Sequence, residues 1–173
     1  IGGLDLTVSA IHGAPSIQRY RNKAQFPVAP GPVIGFYRRG THQVQDVADC
    51  LLQSKAAARL RAAVKDWMIR FQVPAYQERT GAGLVRHVYV RTSRAGQALC
   101  CLLVNGEALP HEDELVQALR RAEPGLAGIV LGVNTSRSNV ILGERYRILW
   151  GADCLEDTLC GLRFSLSVPS FYQ

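Results

Sequence analysis

The sequence lacks the motifs that mark most enzyme active sites. Its 173 residues contain no Gly-x-Gly-x-x-Gly loop, no phosphate-binding P-loop, no His-x-x-x-His pair and no Gly-x-Ser-x-Gly elbow. The 4 histidines are scattered, and none neighbours a cysteine or an aspartate in a recognisable triad order. We therefore expect no complete active site within this chain.

Cysteine is sparse and poorly spaced for a disulfide framework or a zinc site. The 5 cysteines are odd in number and form no Cys-x-x-Cys pair. This usage predicts reduced, mostly buried thiols in a cytoplasmic protein. No apolar run reaches the length of about 18 residues that a transmembrane helix needs, so no membrane association is expected. The chain opens on Ile1 without a secretory leader, and we expect that a segment upstream was removed.

The composition supports a folded core and carries an uneven charge. Hydrophobic residues make up 47% of the chain, which is enough to bury a core. The formal net charge is +6, and the whole excess lies in residues 1–72, because acidic and basic side chains balance in residues 73–173. A localised basic excess is typical of a polyanion partner, since neutralised phosphates release counterions. A solvated basic face is the alternative.

The basic excess centres on a predicted β-hairpin. Residues 17–28 alternate in the manner of a strand, residues 29–32 are turn formers, and residues 33–39 predict the returning strand. Its basic side chains can hold phosphates, and its aromatic side chains can stack on the bases of a folded RNA. The candidate RNA-contacting residues of the hairpin are Arg19, Tyr20, Arg21, Lys23, Phe36, Tyr37, Arg38 and Arg39. Because Phe36 and Tyr37 are adjacent, a regular strand would present at most one of them to RNA. Tyr20 falls opposite Arg19 and Arg21 in the alternation, so core packing is the alternative for its ring.

The remaining pattern predicts an α+β fold with a mostly antiparallel sheet and two main helices. Apolar residues at intervals of three and four predict a helix over residues 49–71, and the charges at its two ends predict another over residues 112–122. Further strands are predicted over residues 84–92, 97–104, 126–134, 139–142, 146–150 and 161–167. The prolines and glycines of residues 73–83 allow either two lobes, 1–73 and 84–173, or a single domain.

Ordered blocks of sequence carry a more specific signal than any single motif. They are residues 20–28 (YRNKAQFPV), 35–42 (GFYRRGTH), 49–53 (DCLLQ), 84–91 (LVRHVYVR), 133–134 (VN), 139–143 (NVILG), 149–151 (LWG) and 170–173 (SFYQ). In this order they resemble the S-adenosylmethionine-dependent RNA uracil-5-methyltransferase family, in its 23S ribosomal RNA branch. The resemblance covers nearly the whole chain.

The resemblance implies that residues 1–173 form the central, RNA-positioning domain of a longer enzyme. Members of the family carry an RNA-binding barrel before this domain and a catalytic domain with the S-adenosylmethionine site after it. The intact enzyme would methylate C5 of a uridine in 23S rRNA. This chain alone is then expected to be inactive and to hold no cofactor, with RNA rather than DNA as its partner.

Three residues acquire roles through the resemblance alone. Gln173 matches a glutamine that contacts the cofactor and target uracil region. Phe171 matches an aromatic residue near the target nucleotide, with core packing as the alternative. Cys50 matches the last of four cysteines that hold a 4Fe-4S cluster in many members, and one thiolate cannot hold such a cluster. Cys50 is therefore either a stranded ligand, which we favour, or a thiol packed before the helix.

Two further hypotheses need no enzymatic parent. The chain would then be a stand-alone RNA-binding module, or a structural or partner-binding α+β domain with an incidental basic face. Binding of phosphate-type ligands to the hairpin separates the RNA-binding hypotheses from the structural one.

Overall fold

The computed structural model describes residues 3, 5, 7–143 and 145–172, and it confirms the predicted α+β fold. The elements are β1 (Lys23–Ala29), β2 (Val33–Tyr37), β3 (Val44–Asp46), α1 (Lys55–Arg70), β4 (Val85–Thr92), β5 (Ala98–Val104), α2 (Glu112–Ala122), β6 (Leu126–Val133), β7 (Arg145–Gly151), β8 (Cys154–Leu159) and β9 (Leu162–Ser167). Among the described residues, no helix is long and apolar enough to cross a bilayer.

One large sheet organises the chain. Its strand order is β3-β2-β1-β4-β5-β6-β7, and only β5 and β6 pair in parallel, because α2 provides the crossover that a parallel connection requires. The prediction of a mostly antiparallel sheet is therefore confirmed. β1 pairs with β4, so the segments on both sides of residues 73–83 contribute strands to the same sheet.

The sheet has two differently covered faces, because successive side chains of a strand point to opposite sides. The helix face carries apolar side chains such as Phe26, Val88 and Leu102, which pack against α1 and α2. The other face carries Tyr89, Leu99, Cys101 and Leu103, which pack against residues of the β8–β9 hairpin and the segment after it. We call this second side the hairpin face.

The helix α1 begins six residues later than the sequence pattern predicted. Ser54 caps it, with its side-chain oxygen accepting a hydrogen bond from the Ala57 N–H at 3.1 Å. Residues 49–53 instead form a turn, in which Leu51 is exposed and its carbonyl accepts from the Arg19 N–H at 2.7 Å. The predicted strand over residues 17–22 was also wrong, since this stretch is irregular apart from an isolated bridge between Arg21 and Gln53.

Other boundaries confirm or correct the sequence analysis. The prediction of a helix over residues 112–122 is confirmed. Residues 139–142 are not a strand, because the side-chain amide of Asn134 donates to the carbonyls of Val140 and Ile141 at 2.6 and 3.0 Å and holds them in a loop. Strands β3 and β8 were not predicted.

Candidate functional site

A cleft of roughly 590 Å³ lies beside the start of β1. Residues 19–22 and 92–94 form two of its walls, and Asp157, Leu159, Phe171 and Tyr172 complete it. Pairing of β1 with β4 brings the first two walls together, with the Thr92 N–H donating to the Asn22 carbonyl at 2.8 Å. The fold therefore brings Phe171, far along the chain, to the same cavity as the consecutive residues Arg19, Tyr20 and Arg21.

Two exposed aromatic side chains border the cleft. Phe171 is 95% exposed and Tyr20 is 56% exposed. The Lys23 ammonium lies 5.4 Å from the centroid of the Phe171 ring, a cation–π contact at the edge of the cleft. The structure therefore does not place the Phe171 ring in the core, and it leaves both rings accessible to a ligand.

The cleft and its edge carry cations that have no acidic partner. Among the described residues, Arg21, Lys23 and Arg94 form no ion pair. Arg94 was missed by the sequence analysis, and its position in the Ser93–Gly96 turn beside a predicted strand was the signal that could have found it. Its backbone N–H lies 3.3 Å from the buried carboxylate of Asp157, which fixes the turn and leaves the guanidinium exposed.

The guanidinium of Arg19 is used inside the protein. It donates to both carboxylate oxygens of Asp49 at 2.6 and 2.8 Å and to the Cys50 carbonyl at 2.6 Å. Lys55 reaches the same carboxylate at 2.8 Å, and the two cations hold the pKa of Asp49 well below its usual range. Arg19 thus ties the turn before α1 to the cleft wall, and the paired charge has little capacity left for a phosphate.

Similar proteins cover the whole chain. An uncharacterized RNA methyltransferase of Clostridium tetani is 34% identical over 177 residues, which cover 100% of this chain and 38% of that protein. One from Clostridium acetobutylicum is 36% identical over 180 residues, covering 100% of this chain and 39% of that protein. No family model matches the chain.

A solved structure shares the fold. The Pyrococcus abyssi tRNA (uracil-54, C5)-methyltransferase in complex with S-adenosyl-L-homocysteine matches with a TM-score of 0.74 and 19% identity, covering 92% of this chain and 38% of that chain. Over its whole length this chain is similar to RNA methyltransferases, and it shares its fold with a tRNA uracil-5 methyltransferase. The resemblance to RNA methyltransferases found in the sequence is thereby confirmed. The chain spans less than two fifths of the length of the two curated relatives that it matches.

The other predicted RNA contacts lie outside the cleft. Phe36 packs against Phe26 with ring centroids 5.2 Å apart and belongs to the core side of β2. Tyr37 is 40% exposed, and its hydroxyl lies 3.4 Å from the Glu78 carboxylate, so one of the two adjacent rings is presented, as alternation requires. Arg38 and Arg39 are exposed on the turn between β2 and β3.

The described residues do not fit the iron–sulfur cluster that the family resemblance implies. A cubane cluster needs four thiolates, and no three Cys, His, Asp or Glu side chains of the described residues converge as ligands. Cys50 is half-buried on the turn before α1, whereas burial in β5 raises the pKa of the Cys100 thiol to about 12. The role of Cys50 as a cluster ligand stays a prediction. Gln173, predicted to contact the methyltransferase cofactor, lies outside the described residues.

Proposed function

We propose that this chain is the central, RNA-positioning domain of an S-adenosylmethionine-dependent 23S rRNA (uracil-5-)methyltransferase, acting in the cytoplasm. The observation that carries the proposal is the cleft, in which exposed aromatic rings stand beside cations without acidic partners. The family supports the reaction class. The parent enzyme would supply the methyl group from S-adenosylmethionine bound outside the described residues, and this chain alone would not catalyse the transfer.

The chemistry of the cleft suits an unpaired stretch of RNA. Arg21, Lys23 and Arg94 can neutralise phosphates, while Tyr20 and Phe171 offer surfaces on which extruded bases stack. Exposed bases are what this enzyme class needs, because C5 of a uridine is shielded while the base is stacked in a helix. The proposed contribution of this chain is therefore to hold the nucleotides around the target in an open conformation.

Binding of the chain to RNA tests the proposal. The ligand is a 23S rRNA hairpin with an unpaired loop, and the competitor is a tRNA hairpin of equal length. Arg21→Ala and Arg94→Ala are each expected to weaken binding several-fold and to lower the salt slope by about one. Arg70→Ala is the matched control, because Arg70 is exposed but does not line the cleft. It sits in the last turn of α1, about 22 Å along the helix from Lys55, which shares Asp49 with Arg19 of the cleft wall.

Aromatic substitutions locate the base-binding surface. Phe171→Ala is expected to weaken binding by roughly tenfold, as the loss of one base–aromatic stack does. Tyr37→Ala is the matched comparison, since Tyr37 is an exposed ring outside the cleft. A larger loss for Tyr37→Ala would move the interface to the β2–β3 turn. Equal affinity for the two hairpins would refute the 23S assignment, and no binding to either would favour a structural or partner-binding domain.

A further inference from the structure

Arg91 is a buried cation that the cleft chemistry above does not use. It is 1% exposed, near the end of β4, and lies opposite Lys23 of β1 and Leu99 of β5. None of the described acidic side chains pairs with it, and its guanidinium carbon lies 5.5 Å from the Tyr89 ring centroid. Burying a charge without a counter-ion is costly, so the groups that compensate it identify what it holds.

Backbone carbonyls of the C-terminal segment, residues 168–172, compensate the charge. The two terminal nitrogens of Arg91 donate to the carbonyls of Tyr172 at 3.2 Å, of Val168 at 3.4 Å and of Ser170. Hydrogen bonds from a charged donor are stronger than neutral ones, and the planar guanidinium holds its donors at fixed angles. The buried guanidinium of Arg91 therefore holds the backbone of residues 168–172 in place.

The residue between two of these carbonyls is Phe171. The carbonyls of Ser170 and Tyr172, on either side of it, both accept from Arg91, while the ring itself is 95% exposed. Val168 anchors the segment in the core of the hairpin face, and the Tyr172 hydroxyl lies 3.4 Å from the Asp157 carboxylate. The backbone of Phe171 is thus held on both sides and only its side chain reaches solvent.

We propose that Arg91 is a positioning residue for RNA binding: its guanidinium holds residues 168–172 so that Phe171 projects into the cleft as a preset stacking surface. The inference rests on the proposed function, since it assigns Phe171 a base to stack on. A purely structural role for Arg91 would change stability without a selective effect on Phe171.

The first test needs no RNA. The chain contains 5 phenylalanines, so labelling with 4-fluorophenylalanine gives a countable ¹⁹F spectrum in which Phe171→Leu assigns the Phe171 signal. Arg91→Met and the milder Arg91→Lys are expected to shift or broaden that signal while those of Phe26 and Phe71 stay in place. The lysine variant is included because it keeps the charge but lacks the planar guanidinium that holds the donors at fixed angles. Leu119→Ala is the control for destabilisation elsewhere, since Leu119 is fully buried in α2.

The second test joins Arg91 to RNA binding. Arg91→Lys is expected to weaken binding of the 23S hairpin about as much as Phe171→Ala, and the double variant should be no weaker than Phe171→Ala alone, because both act through one ring. An unchanged Phe171 ¹⁹F signal in both Arg91 variants, additive losses, or an equal loss in Leu119→Ala would each overturn the inference. If the Phe171 signal shifts in the Arg91 variants while Phe171→Ala binds RNA normally, Arg91 positions Phe171 but Phe171 does not bind RNA.

Discussion

The two faces of the sheet differ in the chemistry of their buried side chains. On the helix face, buried side chains of β1, β4 and β5 are aliphatic or aromatic and meet the apolar stripes of α1 and α2. On the hairpin face, the strand β4 alone presents His87, Tyr89 and Arg91, all buried. Among the described residues, both ring nitrogens of His87 and the Nε of Arg91 have no hydrogen-bond partner.

This difference separates stability from positioning. An apolar layer is stabilised by burial and close packing, and it tolerates substitutions that conserve volume. Buried polar groups cost free energy unless they are hydrogen-bonded, and those hydrogen bonds fix the position of their partners. The hairpin face is where the segment carrying Phe171 is attached, so its polar groups lie next to the surface for which we propose RNA binding.

The largest expected effect compares neighbouring leucines of β5. Leu102 and Leu103 are both fully buried, but Leu102 faces the helices and Leu103 faces the hairpin. Leu102→Ala is expected to lower the free energy of unfolding by roughly 2–5 kcal/mol, because two packed helices relax little around the cavity. Leu103→Ala should fall toward the lower end of this range, since the two-stranded hairpin can settle into the space. Urea denaturation measures both, and a reversed order would break the distinction between the faces.

The next effect depends on pH and belongs to the hairpin face. Burial, followed by the charge of Arg86, lowers the pKa of His87 to about 4, whereas the charge of Glu78 acts in the opposite direction. The unfolded chain binds the proton near the ordinary pKa of about 6.5, so between these values the unfolded state carries more protons than the folded one. The contribution of neutral His87 to the free energy of unfolding is therefore fully present above about pH 6.5. It falls by roughly 3 kcal/mol as the pH drops to about 4.

A non-titrating variant checks this assignment. Urea denaturation of His87→Leu between pH 7 and pH 4.5 is expected to show a much flatter profile, with stability at pH 7 close to that of the parent chain. The matched control is His12→Leu, because His12 is exposed and forms no hydrogen bond among the described residues. An unchanged pH profile in His87→Leu would mean that the imidazole is already hydrated in the folded state.

The sequence predicted the helix face better than the hairpin face. Periodicity and end charges located α2, and the turn formers of residues 29–32 located the β1–β2 hairpin, because local propensity and burial agree there. The strand β8 reads CLEDTL, in which Thr158 is the one β-branched residue and two acidic residues stand at its centre, and only Leu155 and Asp157 are buried. Its strand state depends on pairing with β9, which no local pattern shows.

The candidate site was predicted in part for the same reason. Tyr20 and Arg21, which line the cleft, were found because the basic and aromatic composition of their segment marks them, although the strand predicted over residues 17–22 was wrong. The pairing of Arg19 with Asp49, 30 residues along the chain, and the burial of Arg91 against residues 168–172 are tertiary contacts between distant segments. A strand pattern gives the side of an arginine but not whether a later segment will cover it.

The smallest expected effect comes from Arg147, an exposed arginine that is compared with the buried Arg91. Arg147 donates to both carboxylate oxygens of Glu112 at 2.8 and 2.6 Å, joining β7 to the first turn of α2, and the two side chains are 49% and 29% exposed. Arg147→Ala is expected to lower the free energy of unfolding by less than about 1 kcal/mol, because solvent and salt screen the pair. Urea denaturation at low and high salt measures this, beside Arg91→Lys under the same conditions. If Arg147→Ala lowers the free energy of unfolding as much as Arg91→Lys does, bidentate geometry rather than burial stabilises both contacts. The distinction between the two faces would then lose its physical basis.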